Sequence, residues 1–211
     1  MNHIASRELT DAKPLTRRAL AKLKTRQTLL ASARLLFGER GYEAATVRDI
    51  ASAAGLSTGA VFANFNDKAD LFTEILAADD EQVIAKMGLA AQAALGVRAV
   101  VLAVLSAGYE FHLGQLPLFQ ASQGAAWSRG PLSEAVTGAG SRRVRFLVEQ
   151  ALQKGIADGE LRADLDVALA ADLIWQAYLS NYRLAVHEGA DKEALISRLR
   201  RQLDLVLQTN T

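Results

Sequence analysis

The chain contains no cysteine, only three prolines and few aromatic residues. Without thiols there is no disulfide framework, no thiolate-bound metal and no iron–sulfur cluster. The three histidines, His3, His112 and His187, lie far apart and give no metal-ligand spacing. The longest unbroken apolar run is Ala99 to Leu105, far short of the roughly 20 residues that a membrane-spanning helix needs. The opening stretch, MNHIASRELTDAKPL, has no apolar signal-peptide segment. HExxH and GxxxxGK[ST] are missing, and Gly138-Ala139-Gly140 lacks the third glycine and the preceding strand of a dinucleotide site. These absences lead us to expect a cytoplasmic protein that is not an enzyme and uses no cofactor or metal.

Half of the 211 residues are apolar, enough to bury a substantial core. The net charge of +1 conceals an asymmetry. Residues 1–68 hold 11 Lys/Arg against 6 Asp/Glu, whereas residues 69–211 hold 13 against 17. A basic N-terminal part beside an acidic remainder fits nucleic-acid binding by the former, and fits equally a solvated helix face.

Ala and Leu abound and no stretch alternates with period two, so the fold class is all-α. Residues 1–15 read as an arm, followed by a helix from about Thr16 to Arg40, with Leu29, Ala33, Leu36 and Phe37 on one face and Gly41 as its stop. Thr46 and Asp49 form a capping box for a two-turn helix carrying Val47, Ile50, Ala51 and Ala54. Gly55 ends it, Leu56 plugs the turn, and Ser57 caps a second short helix over 58–65. Longer helices are expected over 68–87, 97–113, 115–126, 132–157, 165–187 and 191–208, with a break between Gly124 and Gly140.

Two short helices joined by a tight turn form a helix-turn-helix. Ile50, Ala51, Leu56, Val61 and Phe65 are its inward anchors; Thr58, Gly59, Phe62, Ala63 and Asn64 are left outward. A short projecting helix can enter a major groove about 12 Å wide. Thr46 heads a helix whose free amides suit a phosphate, and Lys68 is placed similarly at the start of the next helix. Arg17, Arg18, Lys22, Lys24 and Arg26 either track phosphates or form a solvated face.

The run LLASARLLFGERGYEAATVRDIASAAGLSTGAVFANFNDKADL, Leu29 to Leu71, resembles the N-terminal pattern of the tetracycline-repressor (TetR) family. The likeness lies in Leu36-Phe37, Gly41-Tyr42, Thr46-Val47, Ile50-Ala51, Ala54-Gly55-Leu56-Ser57, Gly59, Phe62, Phe65, Lys68 and Leu71; the Gly159-Glu160-Leu161 turn is similar too. The family often has Tyr where Phe62 stands, and His or Tyr where Asn64 stands. The resemblance implies a homodimer that reads a palindromic operator in double-stranded DNA, more often repressing than activating. It also implies a C-terminal part that binds a small effector and resets the spacing of the heads. Thr46, Ser57, Thr58, Gly59, Phe62, Ala63, Asn64 and Lys68 become the DNA-binding candidates.

We therefore expect a helix-turn-helix DNA-binding domain over 1–66, and a larger helical ligand-binding and dimerisation domain over 67–211. Tyr109, His112, Phe119, Gln123, Trp127, Trp175 and Tyr178 are candidates to line the effector site, with Gln115 and Asn181 as further polar groups. Few charges fall at obviously inward positions, so a mainly apolar effector is expected. Arg129, Arg142 or Arg143 pointing inward would favour a carboxylate instead. Val167, Ala170, Ala171, Ile174, Tyr178 and Ala185, with Leu195, Leu199, Leu203 and Val206, form stripes that fit either a dimer seam or the intrachain core. A helical adaptor without effector control is the competing reading.

Overall fold

The computed structural model describes residues 16–126 and 140–207. Every regular element among them is a helix: α1 (Arg17–Ala44), α2 (Val47–Ala53), α3 (Thr58–Phe62), α4 (Lys68–Ala93), α5 (Val97–Leu113), α6 (Leu116–Ala126), α7 (Gly140–Ala157), α8 (Val167–Glu188) and α9 (Lys192–Val206). Helix α1 loses helical geometry at Gly41 (φ 78°, ψ 169°), where the expected stop lies, and a short turn then runs to Ala44. Helix α4 extends beyond the expected Met87, because Ala90, Ala91 and Gln92 give it no reason to stop before Leu95-Gly96. The helix expected over 132–157 is seen from Gly140; its earlier residues lie outside the described part.

Side chains outside most of the helices satisfy free amides at their starts. Thr16, Thr46, Ser57, Asp67, Asp166 and Asp191 each accept a backbone N–H bond of the helix that follows. Helix α5 follows Gly96, which has no side chain to offer. Its first amide, on Val97, instead donates to Glu160 Oε2 at 2.9 Å, so the distant Gly159-Glu160-Leu161 turn caps α5.

Two apolar clusters organise the chain. One gathers Leu29, Leu36 and Phe37 of α1, Ile50 of α2, Val61, Phe65, and Leu71, Phe72 and Ile75 of α4. It also takes in Leu118 and Ala125 of α6, so packing crosses the expected divide at residue 66. The other joins α4, α5, α7, α8 and α9 around Val101, Leu105, Tyr109, Val148, Leu152, Ile174 and Leu199. Ala170, Ala171, Ile174, Tyr178, Ala185, Leu195, Leu199 and Leu203 are all buried in this second cluster within the single chain. The stripes weighed as a dimer seam therefore face the intrachain core. What α8 and α9 leave exposed is a different set, with Leu169, Leu173 and Leu205 its large apolar members.

The second core is tightest where α5 crosses α4 and α8. A Cβ at Gly108 would lie 2.3 Å from the Tyr178 hydroxyl and 2.4 Å from the tip of Met87. Both neighbours are themselves almost fully buried. Gly108→Ala should therefore lower stability by about 1–3 kcal/mol through overpacking, read as a reduced midpoint in urea; an unchanged midpoint would show that the crossing can relax.

Candidate DNA-binding head and effector cavity

The head is built around a rigid turn. Thr46 Oγ1 accepts from the Asp49 amide at 3.1 Å, and Asp49 Oδ2 accepts from the Thr46 amide at 3.2 Å, a reciprocal capping box. The Thr46 hydroxyl also donates to Asp49 Oδ2 at 2.7 Å, and this bond, with the one from the Thr46 amide, holds the Asp49 carboxyl below the usual carboxylate range. Gly55 takes a positive φ of 66°, which lets the Leu56 amide reach back to the Ala51 carbonyl at 2.9 Å. Val61 and Phe65 then anchor the second helix beside Ile50 and Ala51. Ser57, Thr58, Gly59 and Ala63 stay exposed, and so does Phe62, at 58%. A large aromatic is thus left free for contact on a short, projecting helix.

Three residues singled out from the sequence are turned inward. Asn64 is half-buried: its Nδ2 donates to the Ala60 carbonyl at 2.8 Å and its Oδ1 is buried without a partner. It does not stand free on the outward face. Arg26 pairs with Glu74, donates to the Asn64 carbonyl and lies over the Phe65 ring at 4.1 Å, so it fastens α1 to the head's core. Lys68 Nζ donates to the carbonyls of Tyr42 (2.8 Å) and Glu43 (3.4 Å) and sits 4.2 Å from the Tyr42 ring centre. Lys68 thus closes the carboxyl end of α1. Thr46, Arg17, Arg18, Lys22 and Lys24 remain exposed.

Between α4, α5, α6, α7 and α8 lies a cavity of about 450 Å³. His112, Phe119, Gln123, Trp175 and Tyr178 line it, as the sequence suggested, beside Leu76, Val83, Ile84 and Met87. Tyr109 does not: it is fully buried behind the wall, its hydroxyl accepting from Asn181 Nδ2 at 3.0 Å and donating to the Tyr178 carbonyl at 3.3 Å. Asn181 is committed to Tyr109 and Gln202 and stays in the core. Trp127 and Arg129 lie outside the described residues. A neighbouring groove of about 540 Å³ shares Phe119, Gln123, Gln176 and Leu179 with the cavity and carries Arg183 and His187 at its far side.

The expectation that few charges face the cavity does not hold. Asp79, Asp80, Arg142 and Arg145 all line it. Asp79 is paired with Arg34, and Arg145 lies 3.5 Å from Asp172, so among the described residues Asp80 and Arg142 are the charges left facing the space. Burial, with Asp79 beside it, pushes the Asp80 carboxyl up to about 6. Arg143 instead points outward to Glu81. Among the described residues no group of three or more His, Cys, Asp or Glu could hold a metal ion, and no single helix is long and apolar enough to cross a membrane.

Arg34, Asp79 and Asp80 escaped the reading of the sequence. A signal was present for Asp79: Leu71, Ile75, Val83 and Met87 recur every four residues along α4, and Asp79 interrupts that apolar stripe. A charge at an inward position demands a partner. Nothing local identifies that partner as Arg34, on another helix.

An exposed second helix held by a capped turn, ahead of an all-helical body with a cavity, defines a helix-turn-helix DNA-binding regulator. Residues 29–75 match the family described as bacterial regulatory proteins, tetR family. The HTH-type transcriptional repressor KstR2 of Rhodococcus jostii is 31% identical over 166 residues, covering 72% of this chain and 77% of that protein. The HTH-type transcriptional repressor AcnR of Corynebacterium glutamicum is 44% identical over 68 residues, 31% of this chain and 36% of that one. Among solved structures, FadR from Bacillus subtilis in complex with stearoyl-CoA superposes with a TM-score of 0.74 over 88% of this chain and 99% of that one, at 20% identity, a likeness of fold. The chain belongs to the TetR family of transcriptional regulators.

The cavity wall supplies a pH test. Burial lowers His112 to about 4, and its Nδ1 lies 3.0 Å from the Tyr182 hydroxyl. A histidine depressed in the folded state leaves stability intact above its unfolded value near 6.5 and removes it as pH falls toward 4, a loss of about 3 kcal/mol. Asp80, raised in the folded state, works in the opposite sense over the same window. The difference between the native chain and His112→Gln isolates the histidine. Between pH 6.5 and 4.5 the native chain should lose more stability than the variant in urea unfolding; parallel curves would mean that His112 is already accessible to protons.

Proposed function

We propose that the chain is a dimeric transcriptional repressor that binds an inverted-repeat operator and releases it when a small molecule fills the cavity. The observation that carries this reading is the exposed face of α3, with Thr58, Gly59, Phe62 and Ala63 bare on a helix otherwise pinned to the head's core. The named repressors among its relatives support repression. They also favour a regulator over an enzyme or a passive helical adaptor.

In this reading the N-terminal part through residue 66 supplies the DNA contacts and the remainder supplies effector binding and dimerisation. Thr58 and Ala63 meet base edges, Gly59 allows the backbone to come close, and Phe62 packs on sugar or a thymine methyl group. Thr46 and Ser57 stand beside the free amides of α2 and α3, where a phosphate fits. Lys68 has three donors; two go to α1 carbonyls and the third reaches a phosphate. Asn64 shapes the end of the helix rather than reading a base. Leu169, Leu173 and Leu205 belong to the dimer face, since isolated large apolar side chains on two neighbouring helices suit a four-helix seam. The effector has an apolar body against Val83, Ile84, Met87 and Trp175, and a polar group toward Asp80 or Arg142. The acyl-CoA held by the structurally similar FadR is one molecule of that general character.

Selection of duplexes from a random pool by the full-length protein tests the reading. An inverted repeat should emerge, with half-sites about a whole number of helical turns apart. Thr58→Ala should change the preferred bases. Lys68→Ala should weaken all selected duplexes alike and lower the salt slope by about one unit. Recovery of a single unrepeated site, or of no site, would overturn the dimeric operator model.

A further inference from the structure

Among the described residues, Asp79 is the only charged side chain in the buried class, at 6% exposure. Both of its oxygens are taken by Arg34: Nη1 donates to Oδ2 at 3.1 Å and Nη2 donates to Oδ1. The same Nη1 donates to Gln115 Oε1 at 2.6 Å. One guanidinium on α1 thus ties α4 to the loop entering α6. Asp79 and Gln115 are also part of the cavity wall, whereas Arg34 is not. The head therefore grips the cavity from outside through two of its wall residues.

A buried carboxylate tolerates few alternatives. It keeps its guanidinium, or it finds other donors. An occupant of the cavity can supply those donors. Helix α6 makes the grip consequential, because Leu118 and Ala125 pack in the head's core while Phe119 and Gln123 face the cavity. Arg26–Glu74 also joins α1 to α4, but Glu74 is half-exposed and lines no cavity.

We propose that Arg34, Asp79 and Gln115 form a latch that reports cavity occupancy to the head. The latch rests on the effector-cavity reading above and adds the chemistry of release. An effector that presents N–H or O–H donors at the α4–α6 end satisfies Asp79 or Gln115 in place of Arg34. Helix α1 then parts from α4 and α6, and the head leaves its DNA-binding position. A lysine cannot substitute, since a single ammonium does not reproduce the planar fork that spans both carboxylate oxygens and the amide.

A double-mutant cycle on operator affinity tests this without knowing the effector. Ile84→Trp and, separately, Gln123→Trp fill the cavity as built-in occupants; the Gln123 side chain is partly exposed and makes no hydrogen bond to the described residues. Affinity for a selected duplex is read by fluorescence anisotropy on variants that remain folded by circular dichroism. In the native background a filler should weaken binding about ten-fold. The Arg34→Lys and Gln115→Met backgrounds should themselves bind less well, and in them the filler should add less than about two-fold. In the Glu74→Gln background it should retain its full effect. A full added loss in the Arg34→Lys background would overturn the latch and leave the cavity reading standing. Folded fillers that change nothing in the native background would overturn the cavity reading and the latch with it.

Discussion

Helix α6 belongs to two cores at once, and the rest of the arrangement depends on that. Its Leu118 and Ala125 are buried with Leu29, Phe37 and Phe72, while its Phe119 faces His112 and Tyr182 across the body. An eleven-residue helix is too short and stiff to move one face without the other. Whatever displaces the cavity wall at Phe119 or Gln123 must therefore displace packing under α1. The head is not a bead on a flexible string, and its position is set by the same side chains that bound the cavity.

Polar groups sharpen this coupling because they have few satisfactory arrangements. Apolar contacts along α1 and α6 can slide by fractions of an ångström at small cost, but a buried carboxylate cannot lose its partner gradually. The hydrogen-bonded tyrosines behind the cavity act in the opposite way. Tyr178 and Tyr182 hydroxyls lie 2.7 Å apart, and Tyr182 donates to the Gly108 carbonyl, which fixes α8 against α5. Burial drives the ionisation of both hydroxyls well above the usual range, so they remain neutral donors. One wall of the cavity is thereby fixed by hydrogen bonds between α5 and α8.

Much of this was legible from residue pattern, and the exceptions have physical causes. The head could be read locally because caps, turn glycines and i, i+4 anchors are all short-range signals: Thr46 with Asp49, Gly55, Ser57, and Val61 with Phe65 lie where expected. The protein partners of Asn64, Arg26 and Lys68 are not legible from spacing, because side-chain direction depends on groups brought in from elsewhere, such as Glu74 and the end of α1. The stripes on α8 and α9 had the right period but an ambiguous face. Burial resolves it: Ala170, Ile174, Leu195 and Leu199 point into their own chain. His112, Phe119, Gln123, Trp175 and Tyr178 meet at one cavity, but its charges come from α4 and α7, and pairs such as Arg34–Asp79 have no signature in sequence spacing.

The central claim is that filling the cavity moves the heads, and the absence of native cysteine makes it directly measurable. Glu39, exposed on α1, can be replaced by cysteine and carry a single nitroxide in each protomer. Pulsed electron paramagnetic resonance then reads the distance between the two heads of the proposed dimer. The account predicts a defined distance in the native background and a distribution displaced by at least a few ångströms when Ile84→Trp fills the cavity. Superimposable distributions from the two folded proteins would contradict it.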